Sequence, residues 1–135
     1  MRKGFTLVEI MIVVAIIALL AAVAIPGLLR ARITANQSAA QANLKSIATA
    51  IETFASTSGN GTYPTAETQL TNANPPYLAR TYGGQTIGGY VYAVTVGVGG
   101  YTLTARPSSC TATGTASYTV TTGANFTTDG TCTAG

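Results

Sequence analysis

From Phe5 to Leu29 the chain is apolar at every position except Thr6, Glu9 and the pair Pro26-Gly27. A run of that length, apolar on all sides of a helix, predicts a segment able to cross a bilayer. Pro26 removes one backbone hydrogen bond inside that helix and predicts a kink. Past Arg30 and Arg32 the pattern changes. Ile33, Ala40, Leu44, Ile47, Ile51 and Phe54 recur at spacings of three, four or seven, with Asn36, Gln37, Ser38, Gln41, Asn43, Lys45, Thr49 and Glu52 between them. This is one apolar face of an amphipathic helix continuing the first. Nothing breaks it before Ser58-Gly59-Asn60-Gly61, a clear stop signal. The helix is therefore expected over residues 5–58.

Residues 59–89 are punctuated by Gly, Pro and Asn and read as an irregular connection, with room for a short helix near Ala66–Leu70. Period-two alternation then takes over. Tyr90, Tyr92, Val94 and Val96 alternate with Val91, Ala93 and Thr95. A glycine turn at Gly97–Gly100 leads into Tyr101, Leu103 and Ala105, predicting a hairpin. Ser117–Thr122 is a third strand and Phe126–Thr128 a fourth. The predicted fold is α+β: a long N-terminal helix, half transmembrane and half amphipathic, whose stripe covers a small antiparallel sheet. The expected segments are a leader at 1–4, an apolar helix at 5–29, an amphipathic continuation at 30–58, a connection at 59–89 and a sheet at 90–135.

Composition narrows the function. Charged residues make up 8% of the 135-residue chain, which leaves a surface solvated by hydroxyls and amides and weakly repelled by its own copies. The net charge of +3 rests partly on Arg2 and Lys3; the five remaining basic residues face four acidic ones. Nothing in this balance resembles a nucleic-acid footprint. There is no His, and the two Cys are not in a CxxC, so neither a metal site, a cofactor site nor a catalytic constellation is expected. Cys110 and Cys132 are expected to pair in a disulfide if the sheet region lies outside the cytoplasm, and to remain two thiols otherwise.

Glu9 is the anomaly of the apolar run. A carboxylate in hydrocarbon is costly, and an acid at such a position reads as functional. Lys3-Gly4-Phe5-Thr6-Leu7-Val8-Glu9, followed by an apolar helix, resembles the class III signal of type IV pilins and of type II secretion pseudopilins. The resemblance implies a pilin-like fold and cleavage between Gly4 and Phe5 by a membrane prepilin peptidase, which also methylates Phe5. It implies that Glu9 meets the new amino terminus of a neighbouring Phe5 during assembly, that Pro26 is the family's helix-kinking proline, and that Cys110–Cys132 is the family's C-terminal disulfide. The implied product is the major subunit of a type IV pilus-like filament, serving adhesion, motility, DNA uptake or a related surface role. Its implied partners are further copies of itself, the prepilin peptidase, the inner-membrane assembly machinery and, before assembly, the membrane. Its implied location is the inner membrane and then the cell surface.

Gly61-Thr62-Tyr63-Pro64 resembles a stretch of the major pseudopilins, which would keep the protein in the periplasm. Those proteins bind calcium through several C-terminal acids, where this chain has only Asp129. Other readings of the N-terminus are an ordinary signal peptide cut after Ala22-Val23-Ala24 and a plain anchor for a binding module. Three sequons, at Asn36, Asn60 and Asn125, match the N-glycosylation pattern, a frequent chance match in so Thr-rich a chain. Glu67, Arg80 and Arg106 are expected to be solvated charges or salt-bridge partners.

Overall fold

The computed structural model describes residues 4–135; Met1, Arg2 and Lys3 of the expected leader lie outside the described residues. The chain forms two units, Met1–Arg32 and Ile33–Gly135. Helix α1, Leu7–Thr57, contributes to both and retains helical backbone through Pro26. Its end follows from local chemistry. The N–H groups of Ser58 and Gly59 bond to the Phe54 carbonyl, and the Gly61 N–H bonds to that of Ala55. Asn60 and Gly61 adopt positive φ of 49° and 87°, the left-handed turn that closes a helix C-terminus. A side chain at Gly59 would collide with the Thr62 carbonyl, so glycine is required there.

In the second unit, α2 (Thr68–Thr71) lies in the connection, two residues later than its expected start. Five strands follow: β1 Thr86–Ile87, β2 Tyr90–Gly97, β3 Gly100–Pro107, β4 Ser117–Thr121 and β5 Asn125–Asp129. They form one antiparallel sheet in sequence order. The sequence predicts four of these strands. The fifth, β1, corrects the expectation that residues 59–89 hold no strand: two residues carry no readable alternation, yet Thr86 and Ile87 pair with Val91 and Tyr90.

Register decides which side chains share a face. Tyr92 pairs with Ala105 and Val94 with Leu103. Leu103 in turn pairs with Val120, and Val120 with Phe126. These residues point to one side and pack on Ala40, Leu44, Ile47 and Ile51 of α1, so helix stripe and sheet form one core. The other face carries Thr102, Thr104, Thr119 and Arg106. At the stripe's ends the fit loosens, and Ile33 and Phe54 are half-buried rather than buried. Gly114 lies against Tyr90, whose ring occupies the space a side chain would need. The Tyr90 hydroxyl donates to the Ala116 carbonyl at 3.0 Å, tying the 108–116 loop to the sheet.

Cys110 and Cys132 are joined in a disulfide with Cα atoms 5.6 Å apart. It binds that loop to the segment after β5. Its 22-residue separation gives a loop-entropy contribution of about 3 kcal/mol. Ile51 has no exposed surface, and truncating such a residue typically costs roughly 2–5 kcal/mol. We therefore expect Ile51→Ala and Cys110→Ser each to shift the urea unfolding midpoint of the second unit well below that of the parent. An unchanged midpoint in either variant would contradict this packing.

Candidate functional site

The first unit is defined by what does not cover it. From Gly4 to Arg32 every residue is exposed except Ala21, which is half-buried. Phe5 is 79% exposed, and Leu7, Leu19, Val23 and Leu28 all exceed 70%. The segment has a mean hydropathy of 3.0 over its most apolar window and is long and apolar enough to cross a membrane. A contiguous apolar surface of this size marks a membrane or protein contact. At about 25 cal/mol per Å², each 400 Å² of it that is covered contributes roughly 10 kcal/mol before entropic losses.

The start of α1 shows why Thr6 and Glu9 stand together. The Glu9 N–H donates to the Thr6 hydroxyl at 3.3 Å and to the Thr6 carbonyl at 3.2 Å. Thr6 thus acts as the N-cap, and Glu9 holds the third helical position, the spacing of a capping box. A carboxylate in the first turn also faces the positive end of the helix dipole. Glu9 has no ion-pair partner among the described residues. Gly4 precedes the helix with nothing within 4 Å of where a side chain would begin, so no contact among the described residues demands glycine there. Pro26 and Gly27 sit in the exposed helical stretch, and a Cβ at Gly27 would also meet nothing.

The second unit contains a polar site that the sequence pattern does not reveal. The Glu52 carboxylate, on α1, accepts hydrogen bonds from the Tyr101 hydroxyl at 2.9 Å, the Tyr63 hydroxyl at 3.3 Å and the Gly123 N–H at 3.0 Å. The Tyr101 hydroxyl also accepts from the Ala124 N–H at 3.0 Å. One carboxylate therefore ties the helix to the connection, to β3 and to the β4–β5 turn. The rings of Tyr63 and Tyr101 meet edge-on at 5.6 Å. Burial pushes the Tyr101 phenol up to about 12, and its hydrogen bond to the negative Glu52 adds to the shift. Burial, with Tyr118 beside it, does the same to Tyr90, also to about 12.

Glu67 likewise corrects an expectation. It is not a solvated charge, because its oxygens accept the backbone N–H groups of Tyr82 and Gly83 at 2.5 and 3.0 Å. Arg80 stacks over the Tyr82 ring at 5.3 Å and Lys45 over the Phe126 ring at 5.7 Å, geometries of cation–π attraction. Asn36 donates to the Thr113 carbonyl from mid-helix, which takes that sequon out of contention as an exposed acceptor. Among the described residues no group of three or more His, Cys, Asp or Glu could hold a metal. The open concavities in the second unit are lined by strand ends and loops; their residues converge on no acid–base pair.

The family model for the prokaryotic N-terminal methylation motif matches residues 1–25. Over 53 residues the chain is 52% identical to the type IV major pilin protein PilA of Myxococcus xanthus, covering 39% of this chain and 24% of that protein. In its amino-terminal segment the chain is thus similar to type IV pilins. A second relative, the type IV wide pilus major component PilA4 of Thermus thermophilus, is 62% identical over 42 residues, 31% of this chain and 32% of that protein. The chain thus matches only about a quarter to a third of the length of these relatives. No solved structure matches. The family's α+β arrangement, a long apolar N-terminal helix and a small antiparallel sheet, is the one described above.

The raised phenols set the alkaline limit of this pilin fold. The folded state holds the protons of Tyr90 and Tyr101 more tightly than the unfolded chain, whose phenols titrate near 10. Their contribution is complete below about pH 10 and is lost as pH rises towards 12. Alkaline titration followed by circular dichroism should show constant stability to that lower limit and a fall above it. Full stability retained at pH 12 would contradict the burial of these two phenols.

Proposed function

We propose that this protein is the major subunit of a type IV pilus-like filament, assembled by burying residues 5–29 against the same segment of other copies. The observation that carries this reading is the exposed apolar helix with one acid, Glu9, that has no ion-pair partner among the described residues. The similarity to two proteins that are each a major component of a type IV pilus supports a filament subunit over a secretion pseudopilin. Among the described residues neither the helix surface nor Glu9 finds a complement, and a second copy offers both.

In this reading the precursor waits in the inner membrane. A peptidase cuts between Gly4 and Phe5, and Phe5 is methylated. The freed amine of Phe5 is a cation at the start of the helix. In hydrocarbon that cation and the Glu9 carboxylate are each costly alone and less so together. An incoming subunit whose Glu9 meets the Phe5 amine of a subunit already in place loses this penalty only at one axial height. The pair therefore sets register, while apolar burial supplies cohesion. Pro26 and the adjacent Gly27 give the helix a point at which it can bend or loosen as copies pack. The disulfide suits the oxidising exterior that the sheet unit would meet. The product is a fibre at the cell surface with the helices inside and the sheet units outside. Its role there is adhesion, motility, DNA uptake or a related surface function.

Glu9→Ala should insert into membranes normally but lower the yield of sheared filaments at least about tenfold, the effect of ~1.4 kcal/mol lost per docking step. Filament yield equal to the parent would reject the register role. Gly4→Trp, at a position where an added Cβ meets nothing within 4 Å, should leave the fold of the second unit intact and block removal of the leader. A normally shortened product on immunoblot would reject the assigned cleavage point.

A further inference from the structure

We infer that the concavity between the end of α1 and the segment after α2 binds an uncharged saccharide, a property that stands whether or not the filament reading does. The cleft has a volume of about 410 Å³ and opens to solvent. Part of the lining is apolar: Phe54 from α1, Tyr77 and Pro75. The Phe54 and Tyr77 rings are half-buried and meet edge-on at 5.6 Å with an interplanar angle of 77°. The Tyr77 hydroxyl is held by the hydroxyls of Thr57 and Ser58, each at 2.6 Å, so the ring has a fixed orientation. The lining also carries the amides of Asn72 and Asn74, and that of Gln69, whose oxygen already accepts the Thr65 N–H at 2.7 Å. The Asn72 and Asn74 side chains are exposed and have no hydrogen-bond partner among the described residues.

These features specify a class of ligand. A sugar ring has an apolar C–H face and an edge of adjacent hydroxyls. The aromatic and proline lining matches the first, and an amide, which both donates and accepts, matches a hydroxyl pair. Concave sites with an apolar body and a few free polar groups are the usual form of small-molecule sites. The lining holds no Asp, Glu, Lys or Arg. An ionic ligand would therefore enter with its charge uncompensated, which leaves neutral sugars as the favoured class. Tyr77 and Phe54 are anchored by the fold, whereas Asn72 and Asn74 are not, so rings and amides have separable roles.

The test is saturation-transfer NMR on the full-length protein in a phosphocholine detergent, which itself presents no sugar. The probes are the methyl glycosides of glucose, galactose and N-acetylglucosamine. At least one should receive saturation, strongest at its ring C–H protons, with a dissociation constant in the range of about 1–10 mM. The double variant Asn72→Ala/Asn74→Ala should weaken that binding about tenfold or more, with unchanged circular dichroism and an intact disulfide. Asn74→Asp, which keeps the shape and adds a charge, should weaken it as well and serves if the double variant folds poorly. Absence of saturation transfer to all three glycosides would overturn the assignment, as would binding that survives both variants.

Discussion

The controlling constraint is an apolar surface that no other part of the described chain covers. Residues 5–29 of α1 are exposed along their length, while the same helix from Ala40 onward supplies half of a well-packed core. One continuous helix thus serves two solvents. Its second half finds its complement within the chain, in Tyr90, Tyr92, Leu103 and Val120 of the sheet. Its first half needs a complement from outside, either lipid or other helices of the same kind. Hydrophobic burial is roughly proportional to area and indifferent to direction. A uniform apolar surface therefore gives cohesion but no register, and any register must come from a polar feature set within it.

The distribution of acids shows how sparingly this chain uses charge. It has four. Glu52 accepts three hydrogen bonds that stitch helix to head. Glu67 accepts two backbone N–H groups. Asp129 receives the hydroxyl and the N–H of Thr131, which hold its carboxyl below the usual carboxylate range. Glu9 alone lacks a side-chain partner among the described residues. The other three carboxylates are committed to bonds among the described residues, and the proposed assembly gives Glu9 its partner on another copy. The capping geometry with Thr6 explains how Glu9 is tolerated at the helix start; it does not supply a counter-charge.

Most of the architecture was readable from the sequence because two periodicities change at clear boundaries. The helix stripe from Ala40 to Ile51 and the alternation from Tyr90 to Val96 each imply a buried face, and each face found the other. Strand β1 was not legible, since two residues cannot display a period and its pairing is imposed by β2. Glu52 escaped for a different reason. On a helix, the polar residue beside the apolar stripe is ordinarily solvated, and only β3 and the β4–β5 turn, both distant in sequence, bring Tyr101 and Gly123 to it. The same holds for Glu67, whose partners are backbone groups and leave no trace in residue identity. The apolar run and Glu9 were conspicuous because each violates what an isolated soluble domain would tolerate.

The apolar helix matters only if the mature protein keeps it. The most direct measurement is the amino-terminal sequence and mass of the subunit recovered from surface fibres. The account predicts a chain that begins at Phe5, bears one N-methyl group and retains residues 5–29 in full. A subunit beginning at Ile25, or fibres that do not contain this polypeptide, would contradict it.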